Sequence, residues 1–209
     1  MKTYISLSGF DTSQIVSLIV KYGVEKGDSI VLIRPEAETD SRGESTVHAI
    51  KELSKQIDSS IEVQIHRVDH RDFDGMVVSL IDLLKRAQGD VVVNLSGGPR
   101  EIFLAFVLAC LIQSRKIYKT TNFSDIDRVM NEIALPNITL VLDERLKRVL
   151  KDVAENGPTS IKEIALRLKI SESAISRQIS ELVEMKTLAI NQKGKTKEIH
   201  INLTGKMLL

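Results

Sequence analysis

The chain has one cysteine, no tryptophan and no apolar run of membrane-spanning length. The single cysteine, Cys110, excludes a disulfide framework and fits a reducing compartment. The longest uninterrupted apolar run, Ile102–Ile112, is far shorter than the roughly 20 residues that a membrane helix needs. The first residues, MKTYISLSGF, lack the basic segment, apolar stretch and cleavage site of a signal peptide. We therefore expect a cytoplasmic protein with no membrane partner.

Aromatic residues and net charge are both low, and both are unevenly distributed. All eight aromatic residues lie before residue 124, so the later part lacks the stacking platforms of single-stranded nucleic-acid binders. The net charge is +1, but residues 1–143 carry 16 basic and 20 acidic side chains, whereas residues 144–209 carry 13 and 8. An acidic part followed by a basic part predicts two domains, the second of which faces a polyanion. Double-stranded DNA is the favoured partner.

Strand and helix signals alternate through the first part of the chain. This alternation predicts an α/β fold with a Rossmann-like, mainly parallel sheet in residues 1–136, followed by a small winged helix-turn-helix domain in residues 137–209. The segment Asp125–Thr139 is ambiguous and can supply one or two edge strands broken at Pro136. The predicted strands are Thr3–Ser8, Ile30–Ile33, Ile61–His66, Val91–Leu95 and Ile117–Thr121, and the predicted helices are Ser13–Glu25, Thr46–Ile57, Asp74–Ala87 and a helix that follows Pro99.

The second part has the pattern of a winged helix. After a predicted helix over Asp143–Ala154, Gly157-Pro158 breaks the chain, and Thr159 or Ser160 can cap a short helix. Ser171 or Ser173 can cap a longer helix whose inward positions are apolar, which gives a helix-turn-helix. Apolar and polar residues then alternate on both sides of a Lys193-Gly194-Lys195 turn, which predicts a hairpin with Ile190 and Leu203 among its inward residues.

The second helix of this motif leaves small hydroxyls and one arginine on its open face. Such a helix can enter the major groove closely, and its guanidinium can reach a guanine edge or a phosphate. Lysines on the hairpin would lie along the flanking DNA backbone. The alternative is a winged helix that mediates only protein contacts. The candidate DNA-binding residues are Ser171, Ser173, Ser176, Arg177, Ser180, Lys193, Lys195 and Lys197.

The stretch NLSGGPR, residues 94–100, follows the predicted strand Val91–Leu95. Carboxyl ends of strands are where open α/β sheets bind ligands. Gly97 and Gly98 allow a sharp turn and close approach of a partner, and Pro99 suits the first helical position. The free amides of that helix start attract anions, and Ser96 and Arg100 would add to them. The alternative is a tight strand-to-helix turn with no ligand.

Other loops are expected at the same edge of the sheet. Ser8, Gly9, Phe10 and Asp11 follow the first strand, Arg34 follows the second, and Asp69-His70 follows the third. Neither a P-loop motif nor G-x-G-x-x-G is present, which argues against nucleotide hydrolysis of the P-loop kind and against dinucleotide redox chemistry.

SLSGF, NLSGGPR and the terminal winged helix together resemble the CARF (CRISPR-associated Rossmann fold) transcription regulators. The resemblance implies a homodimer that binds a cyclic oligoadenylate across its two-fold axis and regulates CRISPR-Cas loci through DNA binding, and cyclic tetra-adenylate is the expected ring. It places Gly9, Phe10 and Asp11 in the first-strand loop, and Ser96, Gly97, Gly98 and Arg100 in the phosphate cradle. One face of the apolar stretch Ile102–Ile112 can meet the sheet and another a second subunit, or the helix can be fully buried within one chain.

Two alternative functions stay open at this point. Some CARF domains are ring nucleases, and Ser96, Arg100 and the loop amides could support metal-independent cleavage of the bound ring. A sensor of a small phosphorylated metabolite would have the same architecture. No catalytic residue, metal ligand or cofactor is assigned from the sequence, and of the four histidines only His70 falls near the predicted site.

Overall fold

The computed structural model describes residues 1–9, 11–36, 41–193 and 196–209, with no account of the side chains of residues 41, 42, 193 and 196. The chain divides into two compact units, Met1–Ala134 and Leu135–Leu209. This division falls two residues before the boundary that the sequence predicts.

The first unit is built on a six-stranded sheet with the order β3-β2-β1-β4-β5-β6. The first five strands pair in parallel, and the short β6 is antiparallel to β5. The predicted α/β fold with a mainly parallel sheet is therefore confirmed. The strands are β1 (Lys2–Leu7), β2 (Ser29–Pro35), β3 (Glu62–Val68), β4 (Asp90–Asn94), β5 (Ile117–Phe123) and β6 (Met130–Glu132). The helices are α1 (Ser13–Tyr22), α2 (Ser41–Ile57), α3 (Phe73–Arg86) and α4 (Arg100–Ile112).

The central strands consist largely of buried residues, as expected for a parallel sheet covered on both faces. The core on one face joins Tyr4, Ile30 and Leu32 of the sheet to Ile15 and Leu18 of α1. Helix α1 stops three residues earlier than predicted because Gly23 takes a positive φ of 66° and closes the helix on the Ile19 carbonyl.

Helix α4 differs from its prediction in one respect. Ile102, Ala105, Phe106, Ala109 and Cys110 are buried, but Leu104 and Leu108 are 56% and 39% exposed in the single chain. Full burial within one chain is therefore wrong. Helix α4 keeps an uncovered apolar face, which we call the α4 face, formed by Leu104 and Leu108 with the half-buried Val107 and Leu111. Burial also raises the pKa of the Cys110 thiol, which suits a packing role.

The second unit has three helices, a hairpin and a final short helix. These elements are α5 (Glu144–Asn156), α6 (Ile161–Leu168), α7 (Glu172–Glu184), β7 (Leu188–Lys193), β8 (Thr196–Ile201) and α8 (Leu203–Met207). Strands β7 and β8 are antiparallel, and Thr159, in the turn before α6, pairs with Ile199 of β8. The helix order and the hairpin form a winged helix-turn-helix, as the sequence predicts.

Polar side chains cap the starts of α5, α6 and α7. Asp143 accepts a hydrogen bond from the Leu146 N–H at 2.8 Å, and Ser160 and Glu163 form a reciprocal capping box at the start of α6. Two predicted inward residues are wrong: Ile190 is exposed near the described end of the hairpin, and Leu203 is exposed because it begins α8 instead of continuing β8. Within the described residues, no helix has the length and apolar content needed to cross a membrane.

Candidate ligand site and DNA-binding surface

A cavity of about 490 Å³ opens at the carboxyl ends of β1 and β4, where the α/β architecture predicts a ligand. We call it the mouth cavity. Most of its wall is apolar or backbone, which suits a site that buries part of a ligand and holds it with a few polar groups. Its lining residues are Ser8, Gly9, Asp11, Gln14, Gly97, Gly98, Pro99, Phe123 and Asp125.

Two glycines shape the floor of the mouth cavity. Gly97 and Gly98 have φ angles of 71° and 73°, a conformation that other residues rarely adopt. A Cβ atom on Gly97 would lie 2.4 Å from Nε2 of Gln14, and one on Gly98 would lie 2.9 Å from Cβ of Leu7. Gly9 packs against the same loop, since its added Cβ would lie 3.3 Å from the Gly98 nitrogen. The loops after β1 and β4 therefore meet, as predicted, and only backbone fits between them.

Helix α4 begins beside the cavity with an uncapped amino terminus. Pro99 is the capping residue and Arg100 is the first helical residue, so the prediction that Pro99 occupies the first helical position is off by one. Pro99 has no side-chain acceptor, and the N–H groups of Arg100, Glu101 and Ile102 find no acceptor in the described part of the chain. Such free amides carry the positive end of the helix dipole and attract anions.

Ser8 provides a second unused polar group in the cavity wall. Its side chain is only 3% exposed, and its hydroxyl has no hydrogen-bond partner among the described residues. A buried hydroxyl without a partner costs free energy in a folded protein, and it is usually retained where a ligand or water completes the bond. Ser8 therefore points to a ligand independently of the helix terminus.

Ser96 is placed differently from its prediction. Its hydroxyl donates to Oδ1 of Asn94 at 3.1 Å and accepts from the Phe123 N–H at 2.5 Å. Asn94 in turn donates to the Ser6 hydroxyl at 3.0 Å. Ser96 is buried and is absent from the described lining of the cavity. Its hydroxyl links β4 to β5 through these hydrogen bonds. The Ser96 side chain therefore helps to position Phe123, and its assignment to the phosphate cradle stays a prediction.

Two other predicted ligand residues, Arg34 and Arg100, are absent from the described lining of the mouth cavity. Arg34 is 1% exposed inside β2, so it belongs to the sheet instead of the loop that the sequence predicts. Arg100 is exposed at the start of α4, one turn before Leu104 on the same side of the helix. Phe10 lies outside the described residues. His70 is exposed after β3 and is absent from the lining.

Three lining residues escaped the sequence analysis. Gln14 is buried in α1 and donates to the Leu7 carbonyl at 3.2 Å, which supports the end of β1. Phe123 is the last residue of β5, and Asp125 lies two residues after it. Because β5 is parallel to β4, the carboxyl ends of the two strands lie at the same edge of the sheet. The change from polar to aromatic residues at the end of β5 could have identified Phe123 and Asp125.

Asp11 lies at the rim of the cavity and stays ionised. Its Oδ1 atom accepts from the N–H and the hydroxyl of Ser13, at 2.8 and 2.6 Å. These two bonds, followed by the Arg128 guanidinium, lower the pKa of the Asp11 carboxyl below its ordinary value. The rim therefore carries a negative charge at neutral pH.

A second cavity, of about 560 Å³, lies beside α3 and β1–β3 toward the amino ends of the strands. Its hydroxyls are already paired: Thr3 donates to the Gln88 carbonyl at 2.7 Å, and His66 Nε2 lies 2.9 Å from the Ser79 hydroxyl. The carboxyl end of α3 also faces it, which disfavours an anion. In the described ranges, no three His, Cys, Asp or Glu side chains are grouped to hold a metal ion. We therefore place the candidate site at the mouth cavity.

The candidate DNA-binding surface is the outer face of α7. Ser173, Arg177 and Ser180 are exposed on it, and Ser176 is half-buried between them. Ile175, Ile179 and Leu182 point into the core, as predicted. Ser171 caps α7, with its hydroxyl accepting from the Ala174 N–H at 3.4 Å. Ser171 therefore positions the recognition helix in addition to lying on its exposed end.

The wing and the turn contribute exposed cations. Lys197 of β8 is exposed, while Lys195 and the side chain of Lys193 lie outside the described part of the structure. Lys169, which the sequence analysis missed, is exposed in the turn between α6 and α7 with a φ of 56°. Its position beside the start of α7 could have been inferred from the helix-turn-helix spacing.

A partly buried ion pair holds the scaffold of this surface together. Arg167 of α6 donates to both carboxylate oxygens of Asp152 of α5 and to the Thr159 hydroxyl, at distances of 2.7–3.2 Å. Asp152 raises the pKa of Arg167 above its ordinary value. Because Thr159 also pairs with β8, this network ties α5, α6 and the wing to one another.

The architecture defines a Rossmann-like domain with a cavity at its strand ends, joined to a winged helix-turn-helix. Residues 2–126 match the Csa3 CRISPR-associated Rossmann-like domain, and residues 142–186 match a winged helix-turn-helix DNA-binding family. The first match covers more than half of the chain, and the chain belongs to the Csa3 CRISPR-associated Rossmann-like domain family. The resemblance to the CARF regulators is thereby confirmed.

One relative and one solved structure illustrate this similarity. The "CRISPR locus-related putative DNA-binding protein Csa3" of Saccharolobus solfataricus is 23% identical over 98% of this chain and 86% of its own length. Enterococcus italicus Csm6, solved with cyclic hexa-2'-fluoro-hexa-dAMP, superposes with a TM-score of 0.53 at 12% identity. The match covers 90% of this chain but half of the Csm6 chain, and it shows likeness of fold alone.

Proposed function

We propose that this chain is a DNA-binding transcriptional regulator of CRISPR-Cas loci that responds to a cyclic oligoadenylate, with cyclic tetra-adenylate as the first candidate. The observation that carries the ligand proposal is the mouth cavity, whose lining combines Ser8, with its buried and unpartnered hydroxyl, with a glycine loop beside the uncapped start of α4. Membership in the Csa3 domain family supports the link to CRISPR loci.

The chemistry of the mouth cavity suits a ligand with both phosphate and base. The free amides of α4 and the Ser8 hydroxyl can donate to phosphate oxygens. Phe123 and the apolar wall provide a surface on which a base can stack. The carboxylate of Asp125 can accept from the exocyclic amine of adenine or from a ribose hydroxyl. A cyclic oligoadenylate presents all of these groups.

The same proposal includes a homodimer. The α4 face exposes Leu104 and Leu108 directly behind Arg100, at the helix end that borders the cavity. If two α4 faces pack about a two-fold axis that passes near the amino ends of both helices, the two mouth cavities lie next to each other, and one ring can contact both. An isologous contact of this kind is the commonest way for soluble chains to dimerise.

DNA binding follows from the second unit. Arg177, Lys169 and Lys197 provide exposed positive charge around a recognition helix with small hydroxyls. Two such helices in a dimer would read half-sites about 34–36 Å apart. The net charge of residues 144–209, which carry 13 basic and 8 acidic side chains, supports a polyanionic partner.

The ligand site is tested by removing the Ser8 hydroxyl. Because this buried hydroxyl is unpartnered, Ser8→Ala should leave the free energy of unfolding unchanged or raise it by about 1 kcal/mol. The same change should weaken binding of cyclic tetra-adenylate by about tenfold, since a hydrogen bond to a charged phosphate is lost. Calorimetry and thermal unfolding measure the two effects.

Ser114→Ala is the matched control for this experiment. Its hydroxyl is also buried and unpartnered in the described structure, but it lies after the other end of α4. We expect the same change in stability and no change in affinity. The wild-type protein should be stabilised by about 2.7 kcal/mol at a hundredfold excess of ligand over Kd. Equal affinities of Ser8→Ala and Ser114→Ala would remove Ser8 from the site, and tighter binding of adenosine monophosphate would favour a metabolite sensor.

A further inference from the structure

The described lining of the mouth cavity contains no positive side chain. Among its described lining residues, Asp11 and Asp125 are acidic and none is lysine or arginine. A ligand that carries phosphates would therefore meet two carboxylates, which oppose its negative charge. The free amides of α4 offset only part of this repulsion, because a helix end acts as about half a charge. A cation close to the described lining would offset the rest.

Arg128 lies at the rim in a position to supply that cation. It belongs to the loop between β5 and β6, where it has a φ of 59° and its N–H donates to the Ser124 carbonyl at 3.0 Å. Its Nη2 atom lies 3.4 Å from Oδ2 of Asp11, and its guanidinium carbon lies 5.5 Å from the centre of the Phe123 ring. Both contacts are with residues that line the mouth cavity.

The ion pair between Arg128 and Asp11 can be exchanged at little cost. The two side chains are 60% and 55% exposed, and surface pairs of this kind contribute little to stability. The Asp11 carboxylate would keep hydrogen-bond partners without Arg128, because its Oδ1 atom accepts two hydrogen bonds from Ser13. The Arg167–Asp152 pair is different, since Asp152 is buried and holds two helices together.

We propose that Arg128 is the phosphate-binding cation of the mouth cavity and that Asp11 holds its guanidinium at the rim until a phosphodiester replaces the carboxylate. This inference rests on the proposed ligand. A phosphodiester accepts two parallel hydrogen bonds from a guanidinium, whereas the present contact with Asp11 is through one nitrogen at a long distance. The phosphate is therefore the better partner. The site uses Arg128 both to attract the ligand and to neutralise the two carboxylates.

Calorimetric titration of cyclic tetra-adenylate into four full-length variants at low salt tests this role. Arg128→Gln should lower the affinity by about tenfold to a hundredfold, the weight of one charge-assisted contact. Arg128→Lys should lose less affinity than Arg128→Gln, because it keeps the charge but not the two parallel hydrogen bonds of the guanidinium. Asp11→Asn should bind about two- to fivefold more tightly, since it removes a competing surface pair and a negative charge.

Arg115→Gln is the control, because it removes the same charge from an exposed position in the turn after α4. Thermal unfolding verifies that each variant is folded. We expect the Arg128 variants to fold, because the Arg128 side chain is exposed. Wild-type affinity in Arg128→Gln would overturn the inference and leave the proposed function intact. Weaker or unchanged binding by Asp11→Asn would overturn the exchange with the carboxylate. Failure of the wild-type protein to bind any cyclic oligoadenylate would overturn the proposed function and this inference together.

Discussion

Raising the salt concentration from 50 to 200 mM is expected to weaken the binding of this protein to duplex DNA by about 10³-fold. The physical reason is counterion release, which scales with the number of phosphates that cations neutralise. Each protomer exposes Arg177, Lys169 and Lys197 on or beside α7 and the wing. Two protomers would then make about six phosphate contacts, which is the number that gives this loss. Fluorescence anisotropy of a labelled duplex across a salt series measures it.

Two variants show whether the recognition helix causes this dependence. Arg177→Gln should lower DNA affinity by about tenfold or more at fixed salt, because the change would occur in both protomers of the proposed dimer. Lys151→Gln is a matched control, since Lys151 is an exposed cation of α5 that pairs loosely with Glu155 at 3.8 Å. We expect little change in that variant. A flat salt response, or equal affinities for the two variants, would favour a winged helix that contacts only proteins.

The second large effect is expected from Leu108→Glu. In the proposed dimer, the two-fold axis places this change twice in an apolar contact, so each event buries two carboxylates. At about 2 kcal/mol for each, the dimer should dissociate about 10³-fold more readily. Ligand and DNA affinity should fall with it, because both need paired protomers. Sedimentation velocity over a range of protein concentrations gives the dissociation constant.

Val20→Glu provides the control for this experiment. Val20 is an apolar residue of α1 that is already 78% exposed, and α1 packs on a different face of the sheet from α4. The same type of substitution there should leave the association state unchanged. A wild-type protein that sediments as a monomer at micromolar concentration, or a Leu108→Glu variant that dimerises normally, would remove the α4 face from the proposal.

The fold could be read from the sequence because its strands are continuous apolar runs. Val91–Val93 and Ile30–Ile33 are buried on both faces, which is a signal that does not depend on distant contacts. The predicted bounds of helices and strands were less accurate where the local sequence pattern and the tertiary packing favour different ends. Helix α2 begins at Ser41 instead of Thr46, since Gly43 obscures its first turn, and β6 is too short to give a pattern of its own.

The candidate site was predictable only in part. Gly97 and Gly98 carry a local signal, because only glycine tolerates their backbone conformation and the side chains that press on them. Ser96 and Arg34 were assigned to the site because each was expected to follow a strand. In the structure, the Ser96 hydroxyl links β4 to β5, and Arg34 is buried within β2. Gln14, Phe123 and Arg128 join the site through packing of separate elements, which spacing in the sequence does not reveal.

The affinity of the protein for duplex DNA from upstream of its CRISPR locus, measured with and without saturating cyclic tetra-adenylate, tests the central claim most directly. A regulator with coupled sites should change its DNA affinity by about 5- to 150-fold when the ligand is bound, and Ser8→Ala should require more ligand to reach the same change. Identical DNA affinity with the mouth cavity free and saturated would contradict the account.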